Sequence, residues 1–148
     1  MPLSCLDYAM TYLSKYPKTE QEMRLLLYKK GYDTDKIIST METLKRNSFI
    51  DDAKYAESYF NSEVIRKGKP IFIVRQKLIQ RGIDKKLIED LISENQDEMN
   101  SGIDATIRKE LQQYKKKGID GFDGIQKLIR KGYRLQDIKD SIHNHTAE

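Results

Sequence analysis

The sequence has no tryptophan, one cysteine and two histidines among its 148 residues. The cysteine, Cys5, cannot form a disulfide within the chain, and this favours a reducing compartment. No apolar run reaches the roughly 20 residues that a helix needs to cross a bilayer. Residues 1–7 lack the basic and apolar regions of a signal peptide, so we expect a cytoplasmic protein with no membrane partner.

Residues that carry catalysis or bind metals are scarce as well. His143 and His145 form a His-x-His pair, but no third ligand stands nearby, and the pair is better interpreted as part of a tail. Cys5 has no histidine close in sequence and is predicted to be a small packing residue. Asp51 and Asp52 are predicted to cap a helix rather than to hold a metal. Phosphate-binding glycine loops are absent from the sequence. These observations predict neither an enzyme nor a cofactor.

One short pattern occurs three times, with a leucine, two variable residues, a basic residue, a glycine and then Tyr or Ile. Its glycines are Gly31, Gly82 and Gly132, which lie 51 and then 50 residues apart. Apolar residues follow each glycine at plus six and plus ten, namely Ile37, Ile88 and Ile138, then Met41, Ile92 and Ile142. The chain is therefore predicted to be three copies of one unit. Repeat arrays commonly present an extended surface to a long partner.

Capping patterns and glycines divide each unit into three predicted helices. A side-chain oxygen before a helix accepts a free amide of its first turn, and a glycine after it closes the helix. The predicted starts are Ser4 with Asp7, Thr19 with Glu22, Asp33 or Thr34, Asp51 with Asp52, Pro70, and Asp84. The predicted ends are Gly31, Gly68, Gly82, Gly118 and Gly132. We expect an all-α protein of three tandem three-helix repeats, 1–50, 51–98 and 99–148, that form an elongated, curved array.

The helical periodicity of apolar residues assigns the inward-facing positions. In the first unit these are Leu6, Ala9, Met10, Leu13, Met23, Leu26, Leu27, Ile37, Ile38, Met41 and Leu44. In the second they are Ala56, Tyr59, Phe60, Val64, Val74, Leu78, Leu87, Ile88, Leu91 and Ile92. In the third they are Ile103, Ile107, Leu111, Tyr114, Phe122, Ile125, Leu128, Ile129, Leu135, Ile138 and Ile142. Phe72 and Ile73 exceed one stripe and are predicted to pack against a neighbouring helix, with a binding patch as the alternative.

Two local features qualify this plan. Residues 94–102 are polar and contain one large apolar residue, Met99. They form either a bendable linker or the end of one helix followed by the cap of the next. Arg134 stands where the other units have Asp33 and Asp84. The last helix is therefore predicted to lack that cap and to be the least stable.

Basic residues are concentrated in the middle of the chain. Between Val64 and Lys86 there are eight basic residues and one acid, whereas residues 51–63 and 87–100 hold nine acids and one base. The helix dipole alone explains basic residues at helix C-termini. Alternatively, corresponding positions form one basic stripe that meets phosphates or an acidic protein groove. The candidate contacts are Arg66, Lys67, Lys69 and Arg75, followed by Lys115, Lys116, Lys117, Lys127, Arg130 and Lys131.

The segment that joins the first two units reads Phe-Ile-Asp-Asp-Ala-Lys-Tyr-Ala from Phe49 to Ala56. It resembles the hallmark of the RecX family, which has an apolar pair, Asp-Asp, two variable residues and Tyr-Ala. Residues 75–83 are similar to the family's Arg-Gln-x-Leu-x-x-(Lys/Arg)-Gly-Ile. Residues 7–9, 19–23 and 129–133 also fit. The family's usual Gly-x-Gly-Pro is Gly68-Lys69-Pro70-Ile71 in this chain, with the proline one place early.

The resemblance implies a non-enzymatic modulator of the RecA recombinase that acts in DNA recombination, DNA repair and the SOS response. Such proteins have three tandem three-helix repeats, bind the RecA filament along its groove, typically inhibit strand exchange and ATP hydrolysis, and can bind DNA. We therefore expect a monomer whose partners are the RecA–DNA filament and, more weakly, DNA. The alternative is a stand-alone helix-turn-helix-like DNA-binding protein. The mixed charge of the third helices, as in Lys85, Lys86, Glu89 and Asp90, argues against base reading.

Overall fold

The computed structural model describes residues 3–146, and helices are the only regular elements in that range. The helices are α1 (Cys5–Leu13), α2 (Glu20–Lys29), α3 (Thr34–Arg46), α4 (Asp52–Phe60), α5 (Ile71–Gln80), α6 (Lys85–Glu94), α7 (Gln96–Lys116), α8 (Gly121–Lys131) and α9 (Leu135–Thr146). A π-helical segment, Asn61–Arg66, continues α4. The all-α prediction is confirmed.

Helix starts follow the predicted capping residues. Ser4 Oγ accepts the Asp7 amide at 3.1 Å, and Thr19 and Glu22 form a reciprocal capping box at the start of α2. The side chains of Asp33, Asp51 and Asp84 likewise accept amides of the first turns that follow them. Asp120 caps α8 in the same way, although it is not among the predicted caps. Each such cap contributes about 1 kcal/mol to helix stability. The predicted end glycines all have positive φ, between 64° and 108°.

Buried apolar side chains form two separate cores. The first lies within α1 to α3 and the residues that follow, and comprises Cys5, Ala9, Met23, Leu27, Ile37, Met41, Leu44 and Ile50. The second is continuous from α4 to α9 and includes Phe60, Leu78, Ile88, Ile103, Ile107, Leu128 and Ile138. The equivalent isoleucines Ile37, Ile88 and Ile138 are exposed by 5%, 1% and 0%, which confirms their predicted burial. The division at 50/51 and 98/99 stays a prediction.

The prediction of an inward position is wrong for some residues, because the neighbouring helices bury a narrower stripe of each short helix than its apolar pattern indicates. Met10, Ile38, Phe122, Ile129 and Leu135 are exposed by 38% to 69%. Beside Met10, Ile38 and Ile129 the preceding residue, Ala9, Ile37 or Leu128, takes the buried place.

Phe72 and Ile73 divide between the two interpretations given for them. Ile73 is half-buried, and a Cβ added to Gly132 would come within 3.0 Å of its side chain. Phe72 is 51% exposed. The packing prediction is therefore confirmed for Ile73 and wrong for Phe72.

The polar joint at residues 94–102 is helical, not a bendable linker. α6 ends at Glu94 and α7 begins at Gln96, so one residue, Asn95, separates them. The Asn95 side-chain amide donates to the Leu91 carbonyl at 2.8 Å. Met99 lies in the second core, 2% exposed. Burial of one side of this polar segment is what the linker interpretation missed.

Candidate functional site

A groove of about 610 Å³ runs between the π-helical segment and α7. Its lining residues are Ile65, Arg66, Lys67, Gly102, Ala105, Thr106, Lys109, Glu110 and Gln113. Two of the predicted contacts, Arg66 and Lys67, therefore share one surface with Lys109. The sequence did not indicate Lys109, because it lies on a different helix, 42 residues after Lys67.

Two glycines allow the walls of this groove to meet. A Cβ on Gly68 would come within 2.6 Å of the Gly102 carbonyl oxygen, and one on Gly102 within 2.8 Å of the Ile65 carbonyl oxygen. The buried Tyr133 hydroxyl donates to the Gly68 carbonyl at 2.8 Å, and burial raises the pKa of this phenol to about 12. The groove is thus formed where the backbone of residues 65–68 packs closely against the backbone of α7.

Lys67 and Lys69 share a partner, Glu63, in the turn before them. Their Nζ atoms lie 3.5 and 2.8 Å from the two Glu63 carboxylate oxygens. The Lys69 ammonium beside it holds the pKa of Glu63 below its usual value. Both lysines therefore have a structural role, which leaves Arg66 as the exposed cation of this turn without an ion-pair partner within residues 3–146.

Arg75 does not join the groove. Its Nε atom lies 2.9 Å from Glu89 Oε1, so the guanidinium ties α5 to α6. We assign Arg75 to packing within the middle three helices, and the structure does not bring it together with Arg66 and Lys67.

Glu110 connects the groove to the end of α8. Its Oε2 atom lies 2.6 Å from Lys131 Nζ and accepts the Tyr114 hydroxyl at 2.7 Å. Partial burial alone would raise the pKa of Glu110, but the hydrogen bonds from Lys131 and Tyr114 outweigh it, and the pKa lies below its usual value. Lys131 is thereby brought beside the groove and is already paired.

The basic residue of each repeat has the same structural role. Lys30 Nζ lies 5.2 Å from the ring centroid of Tyr8, and Lys131 Nζ lies 5.9 Å from that of Tyr114. Arg81 Cζ lies 4.6 Å from the ring centroid of Tyr59. In each case a cation at the end of a second helix packs on an aromatic ring of the first helix of its own unit.

The other predicted contacts are exposed. Lys115, Lys116 and Lys117 lie at the end of α7, and Lys127 and Arg130 lie on α8, which packs against α7. Within the part of the chain that the structure describes, none of these five side chains has a hydrogen-bond or ion-pair partner. Together with Arg66 they are the predicted cations that remain available to an anionic partner.

Sites of other kinds are absent from the described residues. No group of three or more His, Cys, Asp or Glu side chains between residues 3 and 144 could hold a metal. Cys5 is buried in the first core, as predicted. The His145 side chain lies outside what the structure describes. None of the described helices is long and apolar enough to cross a membrane.

Comparison with known structures supports the fold. The crystal structure of RecX from Lactobacillus salivarius superposes with a TM-score of 0.80 and 22% sequence identity, over 97% of this chain and 96% of that one. A second structure of a regulatory protein RecX matches with a TM-score of 0.73 and 23% identity, over 92% of this chain and 70% of that one. At these identities the likeness shows the fold, an elongated array of three-helix units.

Sequence comparison identifies the family. The family model of the first three-helix domain of RecX matches residues 5–44, and the family model of the second three-helix domain matches residues 51–92. The regulatory protein RecX of Clostridium botulinum is 30% identical over 95% of this chain and 68% of its own length. That of Staphylococcus carnosus is 34% identical over 94% of this chain, which spans 53% of that relative. With its repeated three-helix units and these matches, the chain belongs to the RecX family.

Proposed function

We propose that this chain is a non-enzymatic, cytoplasmic, monomeric regulator that binds the groove of the RecA–DNA filament and inhibits ATP hydrolysis and strand exchange. The mechanism is steric. An array of three-helix units spans neighbouring filament subunits and hinders filament growth or entry of a second DNA.

The observation that carries the proposal is membership of the RecX family, whose relatives are named regulatory proteins. The groove between the π-helical segment and α7 adds a chemical reason. Arg66, Lys67 and Lys109 line it, and Glu110 is the acid among its lining residues. Cations that lack a partner favour an anionic surface, and a nucleoprotein filament carries phosphates.

The cations without a partner are the ones we assign to filament contact. Arg66 in the groove, Lys115 to Lys117 at the end of α7, and Lys127 and Arg130 on α8 make up this set. Lys67, Lys69 and Lys131 lie beside it and are held by ion pairs with Glu63 and Glu110. Arg75, which pairs with Glu89 away from the groove, is not part of this set. Direct contact with DNA, weaker than contact with the filament, belongs to the same surface.

The test compares Arg66→Glu with a matched control, Arg46→Glu. Both arginines are exposed and end a helical segment, and neither has an ion-pair partner within residues 3–146. Binding is measured by biolayer interferometry on RecA filaments assembled on an immobilised single-stranded oligonucleotide. We expect Arg66→Glu to weaken binding about tenfold at low salt, with a smaller loss at high salt because charges are screened there. Arg46→Glu should bind as the parent chain does.

Equal affinity of both variants at low salt would remove Arg66 from the interface. Failure of the parent chain to bind the filament, with unchanged ATP hydrolysis by RecA, would overturn the proposal. Tight binding to bare duplex DNA with no preference for the filament would favour the stand-alone DNA-binding alternative instead.

A further inference from the structure

A second groove lies between α1 and α4. It is separate from the groove lined by Arg66, Lys67 and Lys109, which we call the basic groove. Its volume is about 530 Å³. The end of α1, the loop before α4 and the outer side of α4 line it through Leu13, Pro17, Lys18, Ser48, Phe49, Asp51, Lys54, Tyr55, Ser58, Tyr59 and Ser62. The proposed filament contacts leave this groove unused.

The loop before α4 holds Phe49 at the edge of the groove. Ser48 has φ of 60°, and it is the one non-glycine residue with positive φ among residues 3–146. The amides of Phe49 and Ile50 both donate to the Leu44 carbonyl, at 2.9 and 3.2 Å. Ile50 is buried in the first core, while Phe49 is 50% exposed. The backbone therefore directs the Ile50 side chain into the core and presents the side chain of the preceding residue, Phe49, to the groove. Strained backbone of this kind is enriched at functional sites.

The chemistry of the groove is apolar with a cationic rim. Phe49, Leu13 and Pro17 supply apolar surface, and Lys54 supplies positive charge, to which Lys18 adds although its Nζ atom lies 4.0 Å from Glu22 Oε2. The one acid in the lining, Asp51, already accepts the Lys54 amide at 3.1 Å as a helix cap. The Lys54 ammonium has no ion-pair partner within the described residues. Charge complementarity therefore favours an occupant with carboxylates beside an apolar side chain.

The tyrosines of the groove are less suited to stacking a nucleic-acid base. Arg81 Cζ lies 4.6 Å from the Tyr59 ring centroid, so one face of that ring is covered. Arg81 Nη1 also donates to the Tyr55 hydroxyl at 2.6 Å. A base platform needs a free aromatic face together with several phosphate contacts. The geometry favours a polypeptide over a nucleic acid.

We propose that this groove docks an acidic polypeptide segment of a protein partner, with an apolar side chain of the segment seated against Phe49 and its carboxylates facing Lys18 and Lys54. The inference rests on the proposed function in one respect, since the RecA filament supplies the segment. Phe49 acts as the anchor, because a solvent-exposed aromatic in a groove is a typical hot spot of protein interfaces.

The first experiment needs no filament. The chain has no tryptophan, so F49W introduces a single fluorophore at the groove, and F122W does the same at a phenylalanine that is 69% exposed elsewhere. The probes are the peptides Asp-Glu-Phe-Asp-Glu and Lys-Lys-Phe-Lys-Lys and an oligothymidylate. The acidic peptide should shift the F49W emission to shorter wavelength in a saturable manner and leave the F122W emission unchanged. A response of F49W to the basic peptide or to the oligothymidylate equal to that to the acidic peptide overturns the inference.

The second experiment uses matched charge variants. Lys54 and Lys36 are both the third residue of a helix, and their amides donate to the capping aspartates Asp51 and Asp33 at 3.1 and 3.3 Å. Lys54→Glu in the F49W background should weaken binding of the acidic peptide at least fivefold, and Lys36→Glu less than twofold. Circular dichroism spectra and melting temperatures confirm that both variants fold. Equal effects of the two substitutions overturn the inference.

The third experiment returns to the partner. Phe49→Ala should lower the affinity for RecA filaments at least tenfold, whereas Phe122→Ala should change it less than twofold. Equal affinities of these variants, with a parent chain that binds the filament, overturn the groove and leave the proposed function intact. If the parent chain does not bind the filament while the acidic peptide still shifts the F49W emission, the proposed function is overturned and docking of an acidic segment in the groove is supported.

Discussion

The backbone amide of Glu20 donates a hydrogen bond to Asp52 Oδ1 at 2.9 Å, which joins the start of α2 to the start of α4. The neighbouring Asp51 caps its own helix by accepting the Lys54 amide. The Asp-Asp pair of the hallmark segment therefore serves two helices, one of which lies 32 residues earlier in the chain. Polar contacts of this kind join the first core to the second, and none of the buried apolar residues that the structure describes belongs to both.

Removal of the Asp52 carboxylate should loosen this joint. Asp52→Ala leaves the Glu20 amide without its acceptor, and we expect a loss of about 1 kcal/mol in the free energy of unfolding. Amide hydrogen exchange should accelerate in the first turn of α2. Asp51→Ala is the matched comparison, with accelerated exchange in α4 and none in α2. The same exchange pattern in both variants would contradict the division of roles.

The pH dependence of Asp52 has a defined sign. Desolvation by burial raises the pKa of Asp52 above its ordinary value of 3.8, despite the opposing hydrogen bond from the Glu20 amide. Because the folded state binds the proton more tightly than the unfolded state, this group adds stability as the pH falls through its raised pKa toward 3.8. Asp52→Asn removes that term, so the parent chain should gain stability relative to Asp52→Asn on acidification. Urea titrations at several pH values between about 7 and 4 would measure the difference. A constant difference would contradict the raised pKa.

The equivalent isoleucines should be equally important to their units. Ile88 and Ile138 are exposed by 1% and 0%. Truncation to alanine at either site should cost about 2–5 kcal/mol, since it removes buried methyl groups and leaves a cavity. Ile38, next to a core position but 52% exposed, should cost far less. Chemical denaturation of Ile88→Ala, Ile138→Ala and Ile38→Ala measures all three. A similar small loss at each site would contradict a packed repeat core.

Gly68 and Gly31 separate backbone conformation from packing. Both have positive φ, 64° and 94°. A Cβ on Gly68 would meet the Gly102 carbonyl oxygen at 2.6 Å, whereas one on Gly31 would meet no atom within 4 Å. Gly31→Ala should therefore cost about 1–2 kcal/mol for the left-handed conformation alone. Gly68→Ala should cost clearly more, because two backbones must move apart. Equal melting temperatures of the two variants would show that the walls of the basic groove are not tightly packed.

Truncations should show that α7 to α9 share a core with α4 to α6, whereas α1 to α3 do not. A chain that ends at residue 101 lacks Ile103 and Ile107, which belong to the second core. It should lose cooperative unfolding and, with it, the linked contacts that strengthen binding of an array. A chain that starts at residue 51 keeps that core complete and should still unfold in one cooperative transition. Calorimetry of the two fragments would distinguish them, and retention of a sharp transition in the 1–101 chain would contradict a core shared across α7.

The amino-acid sequence by itself determined the repeat, the positions of the helices and the family. These features depend on short-range physics. An Asp or Thr accepts amides two or three residues away, a glycine adopts positive φ where the chain turns, and apolar spacing marks the face that contains Ile37, Ile88 and Ile138. Charge counting also identified Arg66 and Lys115 to Lys117 as candidate cationic contacts.

Only the tertiary structure decided which charges are paired and how the units meet. Thr19 Oγ1 donates to the carbonyl of Arg81, which lies 62 residues away in the sequence, and Lys131 Nζ donates to Glu110 Oε2, 21 residues away. Such partners lie on different helices, so no local pattern in the sequence indicates them. The same holds for the joint at residues 94–102, where composition allowed either a bendable linker or the end of one helix followed by the start of the next. Packing of α7 against the π-helical segment decides for two successive helices, with Met99 in the core. Contacts between residues distant in sequence also form both grooves, which is why neither was visible before the chain was folded.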